Sequence, residues 1–511
     1  MPNSAHLAAC ALATLLTAGP VAAQTPLSAI DWLSDSVRKP ATAAKPRRAP
    51  ATDVAVNALP RQVTVAPLGA PAPDRVGLLP AERVGLPDDL WHGSASADLA
   101  RALSHDRAGA LPALRDLLRA MLQSAAEPPA DSGPEAVLFF ARIDALLAMG
   151  DIDAARALLD RAEREEPRHF RRWFDIALLT GHEDLGCARM QALPAITPTY
   201  AARVFCLARG GDWATAALTL DTASALGVVG PAEAALLSAF LDDGTEPAAS
   251  LIPPRQPSPL QFALFEAIGL PIGTASLPLA FAHSDLRHTV GWKAQIEAAE
   301  RLARAGAISG SQLWSVYGAR QAAASGGVWD RVRLAHDLDA AMQAGDAGAV
   351  ADLLPDLWDA MRAAGLAHAF AAHYGPALSR LDLDGGAART LAEIGVLSPA
   401  RDRILATDAA NALPPFLLSL ARSAPDPSAA ASDRERAIAE GFDAPPPARA
   451  GEMLQTGRIG EALLMAMDLI ETGEAGNPDA LHDGLAILRA AGQDDTARDA
   501  ALDLLILDRR I

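Results

Sequence analysis

The chain has few aromatic residues, 5% of its 511, and almost no runs in which β-branched and polar residues alternate. Because such residues and such alternation are typical of strands, this shortage argues against an extensive sheet. The one short strand-like run is Val63-Thr64-Val65. Half of the residues are apolar and alanine is abundant, which favours helix. We therefore predict an all-α protein.

Long apolar runs are also missing beyond the N-terminus. The best candidate for a membrane span, the uncharged residues 267–282, is interrupted by two glycines and two prolines. A membrane span needs about 20 apolar residues. Residues 1–23 instead look like a secretory signal peptide, with an apolar run from Leu7 to Leu16 and small residues before Gln24. We expect an exported protein, periplasmic or secreted, with no transmembrane segment after cleavage of the signal.

Cysteine is scarce, and Cys10 lies in the signal peptide. Only Cys187 and Cys206 would remain, on two consecutive predicted helices, and an oxidising compartment favours a disulfide between them. Two buried thiols are the alternative. Neither cysteine belongs to a Cys-x-x-Cys pair, which argues against a metal or redox role.

Motifs that carry catalysis are absent as well. The eleven histidines never form His-Glu-x-x-His, and neither a Gly-x-Ser-x-Gly elbow nor a phosphate-binding Gly-x-x-x-x-Gly-Lys loop occurs. Glu297 and Glu300 lie three apart on an alanine-rich helix, a spacing typical of a solvated face. We predict no catalytic residue, no metal and no cofactor, and therefore a protein that is not an enzyme.

The formal net charge of -18 disfavours nucleic acid as a partner, because the acidic body would repel phosphate. A proline-rich lead, residues 24–93, is the exception, since residues 38–48 carry five basic side chains. That basic stretch is either a solvated linker or a weak contact with anionic lipid or cell-wall polymer.

Two features of the lead predict docking. Apolar residues at helical spacing indicate a short amphipathic helix over 27–37, which is marginal alone in water and should dock on this protein or on a partner. Its candidate docking residues are Leu27, Ile30, Trp32, Leu33 and Val37. Residues 75–80 and 83–87 repeat an Arg-Val-Gly-Leu pattern, which suits an extended strap along a helical surface.

Large and small residues alternate in a fixed register over about 136–176. An aromatic at Phe139, small residues at Ala155 and Ala162 and a proline at Pro167 are followed by Trp173 in the next unit. This register resembles the tetratricopeptide family, in which small residues let antiparallel helices approach closely. Arg142 departs from it, since the family has an apolar residue there. Weaker echoes at 211–223, 457–469 and 492–504 repeat a glycine followed five residues later by alanine.

The resemblance implies a right-handed α-solenoid of helical hairpins behind the proline-rich lead. Prolines then divide the chain into a first helical array, a connector, a second array and a C-terminal helical segment. The expected limits are 94–250, 251–285, 286–422 and 433–511.

Four large aromatic residues lie within residues 292–329 of a chain that otherwise has few of them. Side chains of this kind dominate binding energy in grooves for peptides or sugars, so we predict a partner-binding region there. Its candidate residues are Trp292, Trp314, Tyr317, Trp329 and Arg331, and a smaller basic face comprises Arg168, Arg171 and Arg172. The alternative is that these side chains fill the core where the arrays meet.

Together these patterns predict an exported, non-catalytic scaffold that binds a protein or peptide partner in the cell envelope. The layout resembles exported helical proteins of bacteria. A cell-wall-binding protein related to lytic transglycosylases is the alternative, because their helical superhelix is also alanine-rich and periplasmic. A third hypothesis makes the lead a tether to a membrane complex.

Overall fold

The computed structural model describes residues 72–107, 109–162, 165–242 and 251–507. It is mostly helical, and extended backbone in these ranges is limited to two short strands, β1 (Leu79–Pro80) and β2 (Ser124–Ala125), which pair in parallel. The all-α prediction is confirmed. The signal peptide (1–23), the docking helix (27–37) and the strand-like run (63–65) lie outside the described residues.

The helices follow one another with short connections. The first nine are α1 Ser96–Leu103, α2 Pro112–Gln123, α3 Val137–Ala148, α4 Ile152–Ala162, α5 Pro167–Thr180, α6 Glu183–Ala192, α7 Tyr200–Arg209, α8 Trp213–Ala225 and α9 Pro231–Leu241. The next eight are α10 Pro259–Ala267, α11 Ala282–Asp285, α12 Trp292–Arg304, α13 Gly310–Tyr317, α14 Val328–Ala344, α15 Ala347–Ala363, α16 Ala367–Leu378 and α17 Gly385–Val396. The last seven are α18 Arg401–Leu405, α19 Pro415–Ala421, α20 Asp433–Asp443, α21 Ala448–Gln455, α22 Ile459–Glu474, α23 Pro478–Ala490 and α24 Asp494–Ile506.

The glycine and alanine spacing has a clear structural counterpart. At each of the four glycines a helix ends in the left-handed conformation, with φ between 75° and 84°, where a side chain would be strained. Five residues later the alanine is fully buried at a helix crossing. The glycines are Gly150, Gly211, Gly457 and Gly492, and the alanines are Ala155, Ala216, Ala462 and Ala497.

Helices α3 to α10 form a row in which each helix packs against the next. Helices α10 and α11, which lie in the predicted connector, return to pack on α5. The proline-rich stretch 251–285 is therefore partly helical and belongs to the packed body.

The two ends of the described chain pack together. Helix α1 contacts α22, and α2 contacts both α22 and α24. Between these ends the guanidinium of Arg107 donates to Asp468 at 2.7 Å. The guanidinium of Arg115 on α2 instead donates at 2.6 Å to the backbone oxygen of Arg304, at the end of α12. In a simple solenoid each repeat contacts only its neighbours, so the predicted repeat spacing does not account for these contacts between the two ends.

The strap predicted around residues 75–91 lies on this protein's own body. Leu86, Leu90 and Trp91 are buried, and the backbone N–H of Gly460 donates to the backbone oxygen of Leu90 at 2.9 Å. A Cβ added at Gly460 would lie 2.6 Å from the Trp91 ring, so only glycine permits this close approach.

Arg142, the departure from the family register, is fully buried on α3. Its guanidinium donates to four backbone oxygens, those of Leu122, Asp74, Val76 and Ser124, at 2.7 to 3.2 Å. Burial lowers the pKa of Arg142 to about 10, so the side chain stays charged at neutral pH. It therefore ties the strap and β2 to the row of helices.

Candidate functional site

Three of the predicted partner-binding aromatics lie inside the protein. Trp292, Trp314 and Tyr317 are at most 7% exposed. The indole N–H of Trp292 donates at 2.9 Å to the backbone oxygen of Val316, and its ring lies 5.2 Å from that of Trp329. In this structure they fill the core between α12, α13, α14 and α16, where Trp314 packs on Phe370 and Tyr374, and they do not line an open groove.

Glu300 joins these helices from the centre of the cluster. The Tyr317 hydroxyl donates to it at 2.6 Å, and Arg331 donates to its two oxygens at 2.9 and 2.5 Å. Burial, followed by the neighbouring Glu300 carboxylate, raises the pKa of Tyr317. The expectation of a solvated face at Glu300 is wrong, because this carboxylate is buried and is paired with the partly buried guanidinium of Arg331. Arg331 is likewise engaged within the fold.

The three arginines near Trp173 are engaged too. Arg172 makes a bidentate pair with Asp144 at 2.6 and 2.7 Å, and Arg171 pairs with Asp175 at 2.9 Å. Arg168 pairs with Glu135 at 2.8 Å, on the protein surface. Arg168 and Arg172 also lie over the ring of Phe140. This region is therefore an internally neutralised network and not a free basic face.

Cys187 on α6 and Cys206 on α7 form a disulfide, the first of the two alternatives that the sequence left open. The two cysteines are 19 residues apart in the sequence, and the bond between them joins two neighbouring helices of the row. Closing such a loop stabilises the fold by about 3 kcal/mol on the chain-entropy model.

Helices α6 to α8, the connection between α8 and α9, and the segment after α9 expose large apolar side chains. Of nine such side chains among the described residues, seven lie between 185 and 252, and each is 47% to 89% exposed. We call this set the apolar surface. It comprises Leu185, Tyr200, Trp213, Leu218, Leu226, Val228 and Ile252.

Five of the seven residues of the apolar surface lie in an acidic stretch of the sequence. Between Arg209 and Arg255 the sequence holds no lysine, arginine or histidine but six carboxylates. Helix α8 shows the reason for the exposure, since only Ala216, Leu220 and Ala223 of its thirteen residues are buried. The remaining face of this alanine-rich helix has no neighbour among the described residues that would bury it. Concentrated exposed apolar side chains with a polar rim are characteristic of protein-binding surfaces.

A polar cleft of about 550 Å³ forms where distant parts of the chain meet. Helices α2, α16 and α24, the first residues of α18 and the connection between α17 and α18 line it. Its titratable side chains are Asp116, His368, Arg401, Asp402, Asp495, Arg498, Asp499 and Asp503. The acidic residues outnumber the basic ones, and Arg401 is bonded to Asp499 at 2.7 Å.

Asp503 is the buried carboxyl of the cleft, with only 2% of its surface exposed. Burial is the main cause that raises its pKa to about 6, and Asp499 and Asp116 act in the same direction. His368 and the N–H of Ala113 lower it by less. The Nδ1 atom of His368 is itself buried without a hydrogen-bond partner among the described residues.

Sequence reasoning missed both the cleft and the apolar surface as sites. Nothing local distinguishes Asp503 from other acidic residues of α24, because its partners lie hundreds of residues away. The apolar surface did leave a signal, which is the absence of basic residues from 210 to 254.

No family model, no curated protein and no solved structure matches this chain. Among the residues that the structure describes, no three His, Cys, Asp or Glu side chains are grouped so as to hold a metal ion. Within the same ranges, no helix has both the length and the apolar character needed to cross a bilayer.

Proposed function

We propose that this protein is an exported, non-catalytic helical-repeat scaffold that binds a protein or peptide partner in the cell envelope. The apolar surface, on α6 to α8 and the chain segments on either side of α9, is the contact region. The observation that carries the proposal is the concentration of seven of nine exposed large apolar side chains in 68 residues of the chain. Removing such side chains from water is the main driving force of protein association.

The row α3 to α10 is the part that supports a tetratricopeptide-like, right-handed α-solenoid. Each helix there packs on the next, and glycine turns with buried alanines recur at Gly150 with Ala155 and at Gly211 with Ala216. Stacked hairpins of this kind present extended surfaces on which a partner segment can lie.

Export to the periplasm or to the outside is supported by the signal-like residues 1–23 and by the disulfide. Bridges such as Cys187–Cys206 persist in oxidising compartments and are rare where thiols are kept reduced.

The chemistry of the surface also favours one kind of partner. Five of the seven apolar side chains lie in residues 210–254, a stretch of sequence with six acidic residues and no basic one, so a partner segment with apolar and basic residues would gain both contact area and charge complementarity. Nucleic acid lacks the apolar component and carries the wrong charge.

The test is crosslinking in intact cells followed by pull-down of this protein. Leu218→Glu places a charge in the apolar surface, where Leu218 is 66% exposed, and should abolish recovery of the partner. Val137→Glu is the matched control, because Val137 is also exposed but lies outside that surface. Equal recovery with both variants would overturn the proposal.

The cleft favours a second candidate, a cell-wall-binding protein related to lytic transglycosylases. Glycosidic bond cleavage uses a pair of carboxyl groups in a cleft, and this cleft is lined by several, among them the solvent-exposed Asp116, Asp402 and Asp495. A hydrolysis assay on purified peptidoglycan tests this candidate. Turnover would establish it and overturn the non-catalytic one, whereas no turnover would exclude it.

A further inference from the structure

We propose that the polar cleft between α2, α16 and α24 binds an organic cation, a primary ammonium group on an alkyl chain, and that this group pairs with the Asp503 carboxylate. None of the residues that line the cleft belongs to the apolar surface. The inference therefore goes beyond the proposed scaffold function, and neither of the two depends on the other.

Asp503 is the first argument, because it is a buried carboxyl with an unused hydrogen-bonding position. Its side chain lines the cleft, although the residue is almost fully buried. One carboxylate oxygen, Oδ2, accepts the backbone N–H of Ala113 at 2.8 Å. The other, Oδ1, has no hydrogen-bond partner in the part of the chain that the structure describes. Removing a charged oxygen from water without a partner costs free energy, and a cation that reaches Oδ1 from the cleft would offset that cost.

The basic residues of the cleft do not neutralise it. Five carboxylates line the cleft, against the two guanidinium groups of Arg401 and Arg498. Both guanidinium groups are bound to Asp499, at 2.7 and 3.2 Å, and Arg498 also pairs with Asp495 at 2.9 Å. The two arginines therefore contact only two of the five carboxylates.

The other three carboxylates differ in their surroundings. Asp116 pairs with Arg119 on its own helix at 2.8 Å. Asp402 and Asp503 have no ion pair with a basic residue within the described ranges. An added cation would thus meet uncompensated negative charge in the cleft, and such charge attracts it.

The groups that act on the charge of Asp503 come from the helices around it. Burial raises its pKa most, Asp499 on α24 and Asp116 on α2 add to this, and His368 on α16 lowers it. Of the other two helices packed on α24, α19 carries no charged side chain and α23 has its arginine paired at 2.8 Å with Asp494. A cation bound beside Asp503 would lower the pKa of this carboxyl, because it favours the ionised form.

The size and the walls of the cleft suit an organic molecule. Its volume of about 550 Å³ lies within the range of small-molecule sites, about 300 to 1,000 Å³. Val84, Leu117 and Leu397 contribute aliphatic surface to the walls, against which an alkyl chain can pack. The carboxylates are spread around the cleft and are not grouped as metal ligands are, so far as the described residues go. An alkylammonium ion fits this arrangement, because it needs one carboxylate beside an apolar wall.

Such a cation has two sources, a free alkyl diamine and the side chain of a lysine in a peptide. Both have the ammonium group and the alkyl chain, and they differ in what lies beyond that chain. Two probes separate them: 1,5-diaminopentane, and Nα-acetyl-lysine amide, whose backbone is neutral. The probe that binds more tightly identifies the source.

Isothermal titration calorimetry at pH 8 measures the binding of both probes to the full chain. We expect a dissociation constant of about 1 mM for molecules of this size, and no binding of 1-pentanol, which lacks the ammonium group. Asp503→Asn should weaken binding about tenfold or more, because it removes one charge from the bond. Asp352→Asn is the matched control, since it removes an exposed carboxylate of α15 outside the cleft, and it should leave the affinity unchanged.

The pH dependence gives a second readout, which a purely structural role of Asp503 would not change. The cation binds the ionised carboxyl, whose pKa in the free protein is about 6, so the affinity should fall about tenfold from pH 8 to pH 5. Binding at pH 6 should release protons, seen as different heats in buffers of different ionisation enthalpy. Asp503→Asn should remove most of both effects.

Contrary results would overturn the proposal in different ways. If neither probe binds at about 10 mM, the cleft does not hold an alkylammonium ion. Equal binding of 1-pentanol would show that the walls hold the alkyl chain alone. Binding that Asp503→Asn leaves unchanged would locate the cation elsewhere. None of these outcomes bears on partner recovery with Leu218→Glu, so the scaffold function is tested separately.

Discussion

The Asp503 carboxylate accepts a 2.8 Å hydrogen bond from the backbone N–H of Ala113, 390 residues earlier in the chain. Ala113 is the second residue of α2, where an N–H has no partner within its own helix and the helix dipole favours negative charge. This bond fastens the last helix to one of the first.

Asp503 should make stability depend on pH. Its pKa is raised from 3.8 to about 6 in the folded protein, so the stabilising contribution of its protonation is complete below pH 3.8 and is lost as pH rises through about 6. Asp503→Asn keeps an acceptor for Ala113 and removes the buried charge. We expect this variant to be more stable than the parent at pH 8, by at most about 3 kcal/mol, and to lose that advantage by pH 4.

Thermal unfolding between pH 4 and 8 measures this difference. Asp495→Asn is the control, because Asp495 lies on the same helix with a side chain that is 87% exposed. A difference in midpoint that does not change with pH would contradict the assignment of Asp503 as a buried, high-pKa carboxyl.

The buried Glu300 should be far more sensitive to substitution than Glu297. Glu300→Gln removes the carboxylate to which Arg331 and Tyr317 donate hydrogen bonds. Removing one partner of a buried ion pair lowers the free energy of unfolding by about 3 kcal/mol or more. Glu297→Gln changes a side chain that is 54% exposed, and should cost less than about 0.5 kcal/mol. Urea unfolding compares the two variants, and equal midpoints would show that the Glu300 network contributes little.

Two glycines should respond in opposite directions to alanine. At Gly460 a new Cβ would lie 2.6 Å from the Trp91 ring, and such overpacking costs about 1 to 3 kcal/mol. At Gly451 on α21 the nearest atom would be 3.9 Å away, so alanine should stabilise the helix by about 0.5 to 1 kcal/mol. Thermal midpoints measure both effects. Tolerance of Gly460→Ala would mean that the strap does not pack on α22.

Removing the disulfide should lower stability without changing the fold. Cys187→Ser combined with Cys206→Ser should reduce the free energy of unfolding by about 3 kcal/mol. Reduction of the parent protein should bring its denaturant midpoint to that of the double variant, while the variant itself should not respond to reductant. A parent protein that is insensitive to reductant would indicate free thiols.

The sequence carried different amounts of information about different residues. The spacing of a glycine followed five residues later by alanine, as at Gly211 and Ala216, was readable from the sequence because backbone sterics act over a few neighbouring residues. The environment of Trp292 was not readable, since an apolar side chain suits a groove and a core equally well. Arg142 broke the repeat pattern for a reason that lies outside its own helix, in the carbonyls of the strap and of β2.

By itself the sequence determined helical class, the places where helices end and the buried alanines, because these depend on side-chain size and backbone freedom within one or two turns. Only the tertiary structure decided that α1 and α2 meet α22 and α24, that Glu300 is buried, and that α8 keeps an apolar side exposed. Such contacts depend on the packing angles of many successive helices over hundreds of residues. No short stretch of sequence determines where two distant helices come to lie.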